Sequence, residues 1–254
     1  MVTPKKRYGQ HFLRDENIAR KIVGYLPPDY RNVVEIGAGT GVLSKYLLRD
    51  TTLNPRFFEI DREAVRYLRE TFPGIEEKII HADFLETDLS VLDSPFVIIG
   101  NFPYNISTQI LFRVIENRDR IPVLIGMFQK EVAERIASSP GSKKYGILSV
   151  LLKAFYDIEY LFTVNETVFH PQPNVKSAVI RLTRNSTAAL DCNEEAFVRV
   201  VKTGFNQRRK TLRNALKSMR PTGTLATENL LNKRAEQLSV SDFVYLTCLI
   251  QPVK

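Results

Sequence analysis

From Arg31 onward the chain alternates short apolar runs with amphipathic stretches. Asn32–Ile36 (NVVEI) reads as a strand, Val42–Leu48 as a helix and Arg56–Ile60 (RFFEI) as a second strand. Asp61 stands where a helix cap belongs, ahead of REAVRYLRETF, in which Ala64, Val65 and Leu68 share a face. Lys78–Ala82 and Phe96–Gly100 read as further strands and Ser107–Glu116 as a helix. Val123–Phe128 is a fifth strand, followed by the helix Lys130–Ala137. Strands separated by crossover helices imply a parallel sheet covered on both faces, the doubly wound α/β plan.

The pattern then changes. Ser138–Lys144 (SSPGSKK) is a loop and Gly146–Phe155 a helix. Ile158–Val164 and Ala178–Thr183 follow as strands with no helix between them, the pattern of a hairpin at a sheet edge. After Asn185–Asn193 the strand signals stop, and 194–254 reads as several short helices. We place a boundary near residue 187, giving a larger domain over 1–187 and a helical one over 188–254.

The turn after the first strand carries the first candidate chemistry. EIGAGTG, Glu35 to Gly41, joins strand to helix, and its glycines let the backbone approach a ligand closely. The spacing is G-x-G-x-G, with Val42 where a dinucleotide fingerprint has its third glycine, which disfavours a nicotinamide-dependent dehydrogenase. Gly37 and Gly39 are the cofactor candidates. Glu59, at the end of the second strand, is placed for ribose hydroxyls, while Asp61 is assigned to the helix cap. Asp83 ends the next strand in HADF and can accept from an adenine amine. These features and the tip GNFPYN (Gly100–Asn105) fall at carboxyl ends of neighbouring strands, the ligand edge of an open α/β sheet.

Composition narrows the classes. Lys and Arg number 36 against 28 Asp and Glu, a net +8 that gains meaning from its clustering. Between Arg199 and Arg220 there are eight basic residues and no acid, densest at Arg208, Arg209, Lys210 and Arg213. A solvated helix face normally mixes in acids, whereas phosphate contacts explain a single sign. PKKRY near the N-terminus is a second basic patch. Cys192 and Cys248 fit neither a metal pair nor a disulfide framework, and His11, His81 and His170 have no metal-ligand spacing. We expect no metal. The N-terminus lacks the apolar core of a signal peptide, and no apolar run approaches the ~18–20 residues that span a bilayer. The expected location is cytoplasmic, with no membrane partner.

Glycine loop, Glu59 and Asp83 together resemble the S-adenosylmethionine-dependent methyltransferases, and NFPY resembles the motif of those that methylate an exocyclic amine on a base. Three further stretches, YGQHFL (Tyr8–Leu13), FHPQPNVKSAV (Phe169–Val179) and FNQRRKTLRNAL (Phe205–Leu216), are similar to the small-subunit ribosomal RNA adenine dimethyltransferase family, whose loss confers kasugamycin resistance in bacteria. The resemblance runs from Tyr8 to Leu216. It departs at His11, where many members have Asn, at Ala38, where many have Pro, and at Phe102, where Leu is usual. It implies a Rossmann-like, doubly wound, mostly parallel sheet of the class I methyltransferase type, followed by a small helical RNA-binding domain. The implied cofactor is S-adenosylmethionine, contacted by His11, Leu13, Gly37, Gly39, Glu59, Asp83 and Asn101, with Gln10 nearby.

The implied reaction is dimethylation of two adjacent adenosines in the loop of the 3′-terminal hairpin of 16S rRNA, in a pre-30S particle, by a monomer. Asn101 Oδ1 and a carbonyl of Phe102 or Pro103 accept the amine hydrogens. Pro103 stiffens the tip, Tyr104 is the platform on which the flipped adenine stacks, and Phe169 is the opposite wall. Phe102 packs under the loop. The nearest rival is a large-subunit rRNA adenine methyltransferase of the macrolide-resistance type, disfavoured by FNQRRKTLRNAL and YGILSV. A non-catalytic nucleic-acid-binding relative is disfavoured by the intact glycine loop and NFPY.

Overall fold

A computed structural model of the chain describes residues 2–219 and 225–250. Its larger compact unit comprises Met1–Ala133 with Glu159–Arg184. In it, the apolar runs become strands β2 (Asn32–Ile36), β3 (Asn54–Phe58), β5 (Val97–Asn101) and β6 (Val123–Gln129), following a two-residue β1 (Phe12–Leu13). Val97 to Gly100 and Val123 to Phe128 are buried without a break, as expected of parallel strands covered on both faces. Each large apolar side chain removed from water this way contributes about 1.5–3 kcal/mol before the entropy cost of ordering it.

Helix α1 (Glu16–Val23) precedes β2, and α2 (Ser44–Arg49) follows the glycine loop. Helix α3 (Arg62–Thr71) begins at Asp61, whose carboxylate accepts from Glu63 N at 3.0 Å, and buries Ala64, Val65 and Leu68. It ends before Pro73, which cannot continue a helix. Strand β4 is only Ile79–Ile80, shorter than the 78–82 expected, because a 3₁₀ turn (Glu76–Lys78) runs into it. Helices α4 (Ser107–Glu116) and α5 (Lys130–Ala137) have the expected bounds. Next in chain order come α6 (Ile147–Lys153), β7 (Tyr156–Val164), β8 (Phe169–His170) and β9 (Ser177–Arg184).

The seven-stranded sheet has the order β4-β3-β2-β5-β6-β9-β7. Strands β4 through β6 pair in parallel, for example Glu35 with Phe57 and Gly100 with Gly126. Strand β9 runs antiparallel to β6 from Val123–Thr183 to Gln129–Ser177, with β7 beyond it at the edge. The chain leaves β2 for β3 and β4 on one side and returns to β5 on the other. That reversal opens a crevice at the carboxyl ends of these strands.

The second unit comprises Glu134–Ile158 with Asn185–Lys254. The expected helical domain began near 187; here 134–158, including α6, groups with the C-terminal helices. Helix α7 (Glu194–Asn206) is capped by Asn193, whose Oδ1 accepts from Ala196 N at 2.8 Å. Helices α8 (Leu212–Ala215), α9 (Leu225–Leu231) and α10 (Val240–Leu249) follow. Phe205 of α7 stacks on Phe243 of α10 at 5.9 Å and meets the edge of Tyr145 at 6.2 Å, so an aromatic seam joins three separate stretches. Among the described residues no helix is long and apolar enough to cross a membrane. No group of three or more His, Cys, Asp or Glu among them is arranged to hold a metal ion.

Candidate active site

At the crevice lies a cavity of about 290 Å³. Its walls are the N-terminal segment Arg7–Phe12, the glycine loop, the ends of β3 and β4, and the tip Asn101–Ile106. His11, Gly37, Gly39, Glu59, Asp83, Asn101, Pro103 and Tyr104 all line it, which brings eight candidate residues together. Leu13 and Phe169 do not. They pair through their backbones where β1 runs antiparallel to β8, and both side chains are buried in the core.

Gly39 has φ +55°, and an added Cβ would sit 2.9 Å from the ring of Phe12. Only glycine lets the loop turn beneath the N-terminal segment there. Its N–H donates to Glu59 Oε2 at 2.8 Å, and Asp61 N donates to Glu59 Oε1 at 2.8 Å. Burial lifts the Glu59 carboxyl above its ordinary value, against the pull of those two N–H donors. Asp61, besides capping α3, pairs with Lys5 and accepts from Gln10 Nε2 at 3.3 Å. Burial opposes its ionisation, yet the Lys5 ammonium and the Glu63 N–H hold it below its ordinary value. The N-terminal segment is thereby fastened beside the ribose candidate Glu59. Asp83 Oδ1 accepts from Leu85 N at 2.8 Å, which fixes the acid in a turn at the cavity.

At the tip, Asn101 Nδ2 donates to the carbonyl of His11 at 2.8 Å. Phe102 is 1% exposed and lies edge-on to Phe128, with centroids 5.2 Å apart. It fills a slot over Gly100 and Gly126, where added Cβ atoms would lie 2.6 and 2.3 Å from its ring. The expectation that Phe102 supports the loop from below matches this packing. The Pro103 carbonyl accepts from Ile106 N at 3.2 Å as α4 begins. Tyr104 Oη and Ser177 Oγ are 2.7 Å apart, and burial raises the phenol's pKa. Its ring stacks on the His11 imidazole at 5.3 Å, and His11 Nδ1 donates to Pro171 O at 2.7 Å.

Sequence reasoning passed over Glu35 and Ser177. Glu35 is buried beneath the glycine loop and accepts from Ser44 Oγ at 2.7 Å. Burial pushes its carboxyl up to about 8, against the Ser44 hydroxyl and with Glu59 adding to the rise. An acid inside the apolar run NVVEI was the available signal. Ser177 sits within FHPQPNVKSAV, where nothing local marks it as the partner of Tyr104, 73 residues away.

The basic run is divided. Arg208 Nε donates to Glu236 Oε2 at 2.8 Å, and its Nη2 donates to the carbonyls of Lys143 and, at 3.1 Å, Tyr145. Arg213 pairs with Glu228 and reaches Asn232 Oδ1. Arg209 and Lys210 are exposed, without side-chain partners among the described residues. Arg220 lies outside the described residues.

An open sheet whose antiparallel β9 is inserted beside β6 has the class I methyltransferase fold, and the family match below makes the chain an S-adenosylmethionine-dependent methyltransferase. The lining fits that cofactor: the carboxylates of Glu59 and Asp83 are at the cavity wall, where they could accept from a diol and an amine, and Phe58, Ile60 and Phe84 supply apolar walls. The chain belongs to the ribosomal RNA adenine dimethylase family, whose model matches residues 1–251. It is 54% identical over 252 residues to ribosomal RNA small subunit methyltransferase A of Cytophaga hutchinsonii, covering 98% of each chain. The protein of the same name from Bacteroides fragilis is 53% identical over 252 residues, 97% of this chain and 92% of the relative. Among solved structures, a dimethyladenosine transferase from Plasmodium falciparum superposes with TM-score 0.76 at 24% identity, over 93% of this chain and 96% of that one. The 23S rRNA methyltransferase ErmE gives 0.73 at 24%, over 94% and 99%. These two share the fold.

Proposed function

We propose that the chain dimethylates the exocyclic amines of two adjacent adenosines in the loop of the 3′-terminal hairpin of 16S rRNA, acting as a cytoplasmic monomer on a pre-30S particle. Membership of the adenine dimethylase family and the small-subunit name of its 54%-identical relative support the substrate. The observation that carries the chemistry is the Asn101–His11 hydrogen bond, which leaves Asn101 Oδ1 as the acceptor at the cavity.

When bound, S-adenosylmethionine supplies an electrophilic methyl group. Gly37, Gly39, Glu59 and Asp83 would hold it, with His11 of the N-terminal segment over it and Leu13 anchoring that segment from the core. The adenine amine is a poor nucleophile because its lone pair is delocalised into the ring. Asn101 Oδ1 accepts one amine hydrogen. The Pro103 carbonyl is engaged by Ile106, so the Phe102 carbonyl is the better second acceptor. Together they favour a pyramidal nitrogen, and positioning supplies most of the remaining acceleration. Tyr104, held by Ser177, offers the stacking surface, worth roughly 1–3 kcal/mol per base. Phe169 backs the site from the core beside β1 rather than facing the base. A singly methylated amine has one hydrogen left, so the second transfer needs only one acceptor. Arg209 and Lys210 are the foremost phosphate contacts, with Arg208 and Arg213 adding charge nearby.

Incubation with radiolabelled cofactor and isolated ribosomal subunits tests the reading. Label in the small-subunit rRNA is expected; label confined to the large subunit would overturn it.

A further inference from the structure

We infer that Arg113 is a positioning residue for the cofactor, because its guanidinium, by way of Thr87, sets the turn that presents Asp83. The inference rests on the reading of Asp83 as a cofactor-binding acid. Strand β4 has only two residues, paired with β3 at Phe57–Ile79 and Phe58–Ile80. Past Ile80 no ladder fixes the chain, so something else must hold the Asp83 turn in place.

Within the turn, Thr87 Oγ1 donates to the Asp83 carbonyl at 2.7 Å and Thr87 N donates to the same oxygen at 3.1 Å. The Thr87 carbonyl in turn accepts from Arg113 Nη2. Arg113 projects from α4, the helix that begins directly after the NFPY tip. Its guanidinium also lies 6.0 Å from the ring of Phe84, which packs edge-on against Phe58 at 5.3 Å. Both rings line the cavity beside Asp83. Arg113 Nε is buried without a hydrogen-bond partner, and the Asp88 carboxylate attracts both Arg113 and Arg120, so the contact that sets Arg113 apart from Arg120 is the one to the Thr87 carbonyl. A charge-assisted bond of this kind is stronger than a neutral one and holds direction as well as distance.

Arg120 provides an internal control. It too is a cation with a buried, unpartnered Nε, and it too donates to loop carbonyls, at Leu92 (2.6 Å) and Ser90 (3.5 Å). Those carbonyls lie beyond the Asp83 turn.

The test is isothermal titration of cofactor into the full-length, RNA-free chain, with Tm measured on the same samples. Arg113→Ala is expected to raise Kd about tenfold, the scale of one lost charge-assisted hydrogen bond. Thr87→Val, which keeps the acceptor for Arg113 and removes only the hydroxyl, is expected to raise it about threefold. Arg120→Ala should leave Kd unchanged. The double variant Asp83→Ala/Arg113→Ala should bind no more weakly than Asp83→Ala alone, because Arg113 acts through Asp83. If Asp83→Ala leaves Kd unchanged, the reading of Asp83 fails, and the inference with it. If Asp83→Ala weakens binding while Arg113→Ala and Thr87→Val do not, the inference alone fails. Additive losses in the double variant, or an equal loss in Arg120→Ala, also overturn it.

Discussion

The amide nitrogen of Asn101 donates to the carbonyl of His11 across 90 residues of sequence, at 2.8 Å. The bond commits one end of a nearly symmetric side chain and leaves the other at the cavity. With Nδ2 committed to a carbonyl, Oδ1 is left to accept from an amine. Asn101→Ala should therefore lower single-turnover methyl transfer by about 10²–10³-fold, the scale of one oriented polar group in a dry site. Cofactor affinity should fall far less than turnover, because the glycine loop and the two acids remain. Unchanged turnover would rule out the hydrogen-bond role.

Phe102 carries structure under a functional loop. Phe102→Ala should cost about 3–5 kcal/mol in urea unfolding, since the ring is buried in a slot that cannot collapse onto β5 and β6. Phe102→Leu should cost about 1–2 kcal/mol. Gly126→Ala should be as damaging as the first, because its new methyl would lie 2.3 Å from the same ring. A loss below 1 kcal/mol for Phe102→Ala would contradict the packing argument.

Glu35 predicts a pH dependence of stability. Its ordinary value is 4.5 and burial raises it to about 8 in the folded chain. Between those values the folded state keeps a proton that the unfolded state has released. The contribution of Glu35 is thus fully favourable below about pH 4.5, declines as the pH rises and levels off above about 8. Glu35→Gln keeps an acceptor for Ser44 and removes the titration. It should flatten the decline and gain up to a few kcal/mol at pH 8. Thermal unfolding of both chains from pH 5 to 9 checks this, and parallel curves would count against it.

Arg208 and its neighbours should separate cleanly. Arg208→Ala should destabilise the C-terminal unit by about 1–3 kcal/mol, having removed the donor to Glu236 and two carbonyls. Arg209→Ala and Lys210→Ala should leave Tm unchanged. Each should reduce the salt slope of rRNA binding by about one. A salt titration of binding, run beside thermal melts, distinguishes the two behaviours.

Much of this was legible because local pattern and burial agree. NVVEI, STQILFRVIE and KEVAERIA form elements with the bounds that their periodicity implies, and Asp61 caps α3 as its position suggested. What escaped depends on distant partners. Nothing near Arg208 in sequence reveals Glu236 or the carbonyl of Tyr145 as its acceptors. Periodicity finds α6 but cannot tell that it groups with the C-terminal helices. In the site, spacing found the acids and glycines, yet the direction of the Asn101 amide is set by His11, and the seat of Tyr104 by Ser177. Leu13 and Phe169 stood out in their motifs, but a backbone ladder turns both side chains into the core.

That ladder also imposes an order of events during synthesis. Strand β1 leaves the ribosome more than 150 residues before its partner β8. Until then the carbonyl of Pro171, which anchors the His11 ring, does not yet exist. A nascent chain can build the sheet from β2 to β6 and still leave its N-terminal segment unmoored on that side. The N-terminal wall of the cleft gains this mooring only when β8 has emerged, so a fragment ending before it would carry the glycine loop and NFPY without the strand that pins the segment lying over them.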